Sequence, residues 1–177
     1  MKIVLRQFAL GLLLALPLAL GAEEASNAVI APYAGDLVAL QGDKLAPFKA
    51  GEFLKARYTI LYFSAGWCPV CRGFSPSLVK AYDAQPKGAG RFEVLLLTHD
   101  RTEKEMLKYM TDEKMKWPAL AFDKMAAAAD LKKFYSGRGI PCLTIIDQKG
   151  TVVLQSGSDK DAANVLKKLQ DLLAGKG

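Results

Sequence analysis

Two stretches of the chain, Tyr58–Ser64 (Y-T-I-L-Y-F-S) and Phe92–Thr98 (F-E-V-L-L-L-T), are almost unbroken runs of apolar, β-branched and aromatic residues. A strand with one wet face alternates apolar and polar side chains, whereas a strand covered on both faces does not. Both runs therefore read as buried central strands. The segment between them, about Pro69 to Asp83, reads as a helix with Pro69 in its first turn, where no hydrogen-bond donor is lost. Pro76 lies inside that helix and is expected to kink it. Buried strands that alternate with helices pair in parallel.

The rest of the chain fits around this unit. Leu37–Leu40 reads as a short strand, followed by a turn at Gln41-Gly42-Asp43. After the second buried run, Asp100 or Thr102 is the expected cap of a helix through about Met110. Trp117-Pro118 closes that region, and Asp123 is the expected cap of a further helix over Met125–Tyr135. Ser136–Gly139 reads as a loop and Leu143–Ile146 as a strand. A turn at Asp147–Gly150 then leads to a hairpin partner over Thr151–Gln155. Ala162, Val165, Leu166, Leu169, Leu172 and Leu173 follow helical spacing, with Ser158 or Asp159 as the expected cap. The fold class is α/β: a central mixed sheet flanked by helices on both faces.

The N-terminus reads differently. Lys2 and Arg6 precede an apolar stretch from Ala9 to Leu20, and the small residues Gly21 and Ala22 follow. That is the pattern of a secretory signal peptide over residues 1–22, with cleavage near Ala22. The apolar stretch is shorter than the about 20 residues a span requires, so no stable membrane span is expected after cleavage. Residues 23–35 mix Ala, Ser, Asn, Pro and Gly without periodicity and read as a linker. Residues 36–177 form one domain. With 51% hydrophobic residues the chain can bury a core. The formal net charge of +6 is spread over lysines that mostly have acids nearby, which reads as solvated surface with no nucleic-acid stripe.

An exported protein of this size needs no disulfide staples. Three cysteines are present, Cys68, Cys71 and Cys142. An odd count with two residues in C-x-x-C spacing points to chemistry. Cys68 and Cys71 sit in W-C-P-V-C between a buried strand and a helix. A thiol at a helix N-terminus meets free backbone N–H groups and the positive end of the helix dipole, which favour the nucleophilic thiolate. Cys68 is thus the expected attacking residue. Cys71, one turn further, is placed to resolve a mixed disulfide. Pro69 stiffens the loop between them. The alternatives are a fixed disulfide or half of a zinc site. A structural zinc site uses four Cys or His ligands, and the chain holds three Cys and one His.

At these residues the chain resembles a known family. Y-F-S-A-G-W-C-P-V-C-R-G-F-S-P over 62–76, T-H-D-R-T-E-K-E-M-L-K-Y-M over 98–110 and W-P-A-L-A-F-D over 117–123 resemble the tryparedoxins and nucleoredoxins of the thioredoxin superfamily. Gly139-Ile140-Pro141-Cys142-Leu143 resembles that superfamily's cis-proline loop. The resemblance covers about residues 36–155 and implies a thioredoxin fold, with a cis bond between Ile140 and Pro141 beside the cysteine pair. It also implies that Trp67, Pro69, Ile140 and Pro141 meet an extended substrate segment, in a manner like strand addition. Two positions depart from the pattern. Val70 stands where the subgroup commonly has proline, and Tyr62 stands where ordinary thioredoxins keep a buried acid. Most of these relatives are intracellular. The export pattern instead resembles exported bacterial thioredoxin-like proteins that keep selected thiols reduced.

The expected function is thiol–disulfide oxidoreduction in the periplasm, acting on protein disulfides, with no cofactor and with a membrane electron donor. A copper chaperone of the same fold, using Cys68, Cys71 and His99, is the alternative, although such proteins typically space their cysteines one residue further apart. His99 reads otherwise as an ordinary loop residue. Cys142 reads as a small buried strand residue, or as a third thiol near Cys68. Trp67 and Trp117 are expected to shape the surface around the site, and Arg72 to solvate the helix start or favour a nearby thiolate.

Overall fold

The computed structural model describes residues 27–85 and 91–176. The first of the two apolar runs becomes β3 (Tyr58–Ser64) and the second β4 (Phe92–Thr98), paired in parallel from Tyr58 opposite Phe92 to Ser64 opposite Thr98. The other neighbour of β3 is β6 (Cys142–Asp147), antiparallel, with Phe63 opposite Cys142. β7 (Val152–Gln155) completes that side as a hairpin with β6. On the other side lie β5 (Ala119–Leu120), β1 (Leu37–Gln41) and β2 (Lys44–Pro47), giving the order β2-β1-β5-β4-β3-β6-β7.

Successive side chains of a strand point to opposite faces, so β3 supplies two cores at once. Ile60 and Tyr62 join α2 (Pro69–Ala84), α3 (Glu103–Asp112) and α5 (Ala162–Leu173) in one apolar cluster. Leu61 and Phe63 join Phe53 of α1 (Gly51–Leu54) and Leu131 of α4 (Ala129–Lys132) in the other. The lone charge in the two buried runs, Glu93, is matched by Tyr82, whose hydroxyl donates to it at 2.7 Å, and by Arg91 at 3.0 Å. α2 buries Cys71, Phe74, Ser75, Leu78 and Ala81, a stripe at helical spacing. Pro76 falls on its exposed face.

Three sequence expectations need correction. The helix expected over Met125–Tyr135 is instead a 3₁₀ turn at Phe122–Lys124 followed by the single turn of α4. Ala128, Leu131 and Phe134 are the buried positions, a spacing of three that suits the three-residue turn better than a 3.6-residue helix. Several backbone bonds here close over three residues, as in Met125 N–H to Phe122 O and Phe134 N–H to Leu131 O. The cap of α5 is Asp161, because Asp159–Asp161 forms a separate 3₁₀ turn. Residues 27–35, read as part of a linker, pack onto the domain: Ile30 is fully buried and Ala31–Asp36 is a 3₁₀ helix. Asn27 anchors them. Its amide donates to Thr59 Oγ1 at 3.1 Å, and its Oδ1 accepts from the N–H groups of Val29 and Ile30 at 3.2 and 3.1 Å. The signal-peptide expectation over 1–22 lies outside the described residues. Among the described residues no helix is long and apolar enough to cross a membrane.

Asn27→Ala leaves the Thr59 hydroxyl and two N–H groups without these partners. Removing one side of a buried hydrogen bond costs about 1–3 kcal/mol. Urea unfolding of the variant is expected to show a loss of that size, and a change below about 0.5 kcal/mol would remove Asn27 as the anchor.

Candidate active site

The chain leaves β3 at Ser64, crosses Ala65-Gly66-Trp67 and enters α2 with Cys68 at the N-cap position. There the Cys68 sulfur accepts the Cys71 N–H at 3.3 Å and stands 3.5 Å from the Ile140 carbonyl oxygen. Both cysteines are free thiols. Their surroundings differ. Cys68 is 6% exposed and its rim carries Trp67 and Val70, which are 53% and 50% exposed. Cys71 is fully buried. Burial pushes the Cys71 thiol up to about 12, with hydrogen bonding to Cys68 acting the same way and hydrogen bonding from Ser64 and the Ala65 backbone opposing it.

The loop that presents Cys68 is clamped by the segment after β4. The Gly66 N–H donates to Asp100 Oδ1 at 2.8 Å, and Asp100 Oδ2 accepts the Thr98 hydroxyl at 2.8 Å. The Trp67 indole N–H donates to the His99 carbonyl at 3.0 Å, and the His99 N–H donates to the Ser64 carbonyl at 2.7 Å. The Arg101 guanidinium lies 6.0 Å from the Trp67 ring centre. Position 66 has room only for glycine, because a Cβ there would stand 2.8 Å from Tyr109 Cβ. Facing this loop, the bond between Ile140 and Pro141 is cis, as the resemblance implied. Gly139 precedes it with φ of +108° and donates its N–H to the Tyr135 hydroxyl at 3.2 Å.

Behind Cys71 lies a feature the sequence reading missed. Tyr62, Ser64, Ser75 and Tyr109 converge their hydroxyls in the core. Ser64 and Ser75 each stand 2.7 Å from the Tyr109 oxygen, and Tyr62 stands 3.0 Å from Ser75 and 3.2 Å from Tyr109. Ser75 also donates to the Cys71 carbonyl at 2.9 Å. The spacing of Met106, Tyr109 and Met110 carried the signal for Tyr109, since it turns that tyrosine into the core. Asp100 was foreseen only as a helix cap. Thr102 is the cap, accepting the Glu105 N–H at 3.1 Å.

Other singled-out residues sit apart from the thiols. Trp117 is fully buried against Tyr62 and Tyr82 and does not shape the surface. The Arg72 guanidinium faces Asp112 at 3.3 Å and Glu113 at 3.7 Å. Cys142 is fully buried beside Phe63 in the apolar cluster on the opposite face from Cys71, with Ser136 Oγ at 3.5 Å. The His99 ring packs edge-on against Phe63 and tilted against Tyr135, with ring centres 6.2 and 5.2 Å apart, and lines a cavity of about 310 Å³ with Met125 and Lys132. Among the described residues no three His, Cys, Asp or Glu side chains converge to hold a metal ion.

A four-membered core of parallel and antiparallel strands, a dithiol at a strand–helix junction and a cis-proline loop against the first thiol together define a protein of the thioredoxin fold. The family model described as thioredoxin-like matches residues 56–152, and the chain belongs to that family. It is 36% identical over 104 residues to nucleoredoxin of Xenopus laevis, covering 59% of this chain and 25% of that protein. It is 35% identical over 126 residues to tryparedoxin of Trypanosoma brucei brucei, covering 66% of this chain and 85% of that one. Native tryparedoxin I of Crithidia fasciculata superposes with a TM-score of 0.58 at 30% identity, over 78% of this chain and 91% of that one. The chain thus spans about a quarter of the length of the nucleoredoxin and most of the length of the tryparedoxins.

The Asp100 carboxyl is held above its ordinary 3.8, chiefly by burial, with the bonds from Thr98 and Gly66 opposing the shift. A raised carboxyl favours the protonated folded form, so its contribution to stability is present below 3.8 and fades as pH rises through the folded value. The stability of the parent protein minus that of Asp100→Asn is therefore expected to fall as pH rises across that window, measured by urea unfolding at a series of pH values. A difference that stays flat, or rises, would contradict this reading of Asp100.

Proposed function

We propose that the chain is a thiol–disulfide oxidoreductase that reduces disulfides of exported proteins. The observation that carries the reading is the placement of the Cys68 sulfur, at the N-cap of α2, accepting the Cys71 N–H and facing the Ile140 carbonyl. A nucleophilic sulfur needs N–H donors for its anion and an open approach for the substrate. Trp67, Val70 and Ile140 supply an apolar rim around that approach. The backbone of Ile140 offers a carbonyl to an extended substrate segment.

The cycle is a pair of exchanges. Cys68 thiolate attacks one substrate sulfur, a Cys68–substrate disulfide forms, and the other substrate sulfur leaves as a thiolate. Cys71 then attacks the Cys68 sulfur. The Cys68–Cys71 bond forms, the bond to substrate breaks, and the second substrate sulfur leaves with the electron pair and takes up the proton that Cys71 gave up. The substrate gains two electrons and the cysteine pair loses two. A dithiol donor must return them, and on the export reading that donor is a membrane reductase. The pattern of residues 1–22 supports export, and cell fractionation with N-terminal sequencing of the recovered protein tests it: a chain beginning near residue 23 in the periplasmic fraction is expected, and an intact cytoplasmic chain would contradict it.

Cys68→Ser is expected to lower insulin-disulfide reduction by more than about a hundredfold, since nucleophile loss removes the covalent route. Cys71→Ser is expected to keep the first attack and to accumulate a mixed disulfide visible by non-reducing electrophoresis and intact mass. Full activity of Cys68→Ser, or mixed disulfides formed through Cys142, would refute the assignment.

A further inference from the structure

Phe63, near the end of β3, and His99, just past β4, frame a cavity whose walls are chemically specific. Phe63 is only 1% exposed and forms its floor. The Phe63 ring centre lies 6.2 Å from His99 and 5.3 Å from Tyr135, and those two rings lie 5.2 Å apart, so the three make an aromatic corner. The half-buried Met125 and the exposed Ala126 and Lys132 also line the space. A thioether is flexible and polarisable, so Met125 can adapt to an apolar shape that enters. The volume is about 310 Å³. Ligand sites run from about 300 Å³ upward, so this one suits a single large side chain. None of the residues lining it is acidic. Asp100, next to His99, has its oxygens bonded to Gly66 and Thr98, and Asp130 pairs with Lys133 at 3.3 Å. The Lys132 ammonium donates to the Ala126 carbonyl at 3.0 Å and meets no carboxylate among the described residues. An ammonium carries further N–H donors beyond that one, and they are open to an anion.

The cavity is tied to both loops that flank Cys68. On one side the His99 N–H donates to the Ser64 carbonyl at 2.7 Å, and the His99 carbonyl accepts the Trp67 indole N–H at 3.0 Å. On the other, the Tyr135 hydroxyl accepts the Gly139 N–H at 3.2 Å, one residue before Ile140, whose carbonyl stands 3.5 Å from the Cys68 sulfur. Ile140 packs against the apolar cluster that holds Cys68 and against the one that holds Phe63, so it separates the thiol from the cavity. An extended segment advances about 3.3 Å per residue and sends alternate side chains to one face. A segment laid over Ile140 with its cysteine at Cys68 therefore brings a neighbouring side chain to the cavity. We infer that the cavity lined by Phe63, His99, Met125 and Tyr135 is a specificity subsite for the proposed exchange: it takes a large apolar side chain of an extended substrate peptide, and Lys132 reads an acidic residue beside that side chain. The inference rests on the dithiol reading given above.

The test uses the full chain, reduced, with short Gly/Ser peptides whose single cysteine is joined by a disulfide to a chromogenic aromatic thiol. Attack on the peptide sulfur releases the coloured thiolate. Phe is placed in turn at each nearby position on either side of the cysteine and compared with Ala at the same position. At one of them Phe is expected to raise the second-order rate constant about tenfold over Ala, as burial of a large apolar side chain implies. With Phe there, Glu beside it is expected to react about threefold faster than Lys. Ala126→Phe fills the cavity and is expected to abolish the preference for Phe. Lys132→Glu is expected to invert the preference for Glu. Ala126 and Lys132 are exposed, so both substitutions spare the core. A parent protein that lacks either preference, or a preference that survives its variant, would overturn the subsite and leave the dithiol reading intact. A parent protein that releases no coloured thiolate from any of the peptides would overturn both.

Discussion

The bond from the Gly66 N–H to the Asp100 carboxylate, 2.8 Å long, decides where the first cysteine stands. Cys68 lies two residues further along the same short turn, between a strand buried on both faces and the first turn of α2. Neither end of that turn can shift: β3 is locked between β4 and β6, and α2 is packed through Phe74, Leu78 and Ala81. A bond from the neighbouring loop to the middle of the turn therefore sets its path. The Trp67 indole bond to His99 and the His99 backbone bond to Ser64 tie the two loops together on either side of it. Asp100 itself is 8% exposed and bonded to Thr98, so the carboxylate is held rather than free to swing toward solvent.

From that placement follows an asymmetry between the two thiols. Cys68 sits at the surface end of the helix, under an apolar rim and against the Ile140 carbonyl. Cys71, three residues on, lies inside the core, where burial opposes its ionisation. In the proposed disulfide exchange such a pair divides the labour. Cys68 keeps 6% exposure beneath that rim, whereas Cys71 keeps none, so in the proposed exchange the second sulfur meets only the disulfide formed on its neighbour. Behind the second cysteine the hydroxyls of Ser64, Tyr109, Ser75 and Tyr62 bond to one another, and Ser75 donates to the Cys71 carbonyl at 2.9 Å.

The parts of this arrangement legible in the sequence were those written in local patterns. β3 and β4 stood out because a run of seven apolar-rich residues has few alternatives, and α2 because Pro69, set between the two runs, marks its first turn. The cysteine pair followed from its seat between them. What the sequence concealed depends on contacts between distant segments. Asp100 resembles a helix cap until the fold shows it reaching Gly66, 34 positions earlier. Ser64 and Ser75 resemble incidental polar residues until Tyr109 arrives from α3. The linker reading failed because residues 27–35 lack periodicity, yet Asn27 fastens them to Thr59 through a single buried amide. The helix expected over Met125–Tyr135 failed because an alanine-rich segment has helical propensity without enough buried surface to extend it.

The central claim is that Cys68 and Cys71 form a reversible two-electron couple of reducing character. Equilibrating the protein in dithiothreitol buffers of defined potential, trapping free thiols with an alkylating agent and weighing the products measures it directly. The account predicts a single transition that consumes two thiols, assigned to Cys68 and Cys71 and sparing Cys142, with a midpoint near about −270 mV. A midpoint near about −120 mV would make the protein an oxidant, and a pair that forms no intramolecular disulfide would contradict the account altogether.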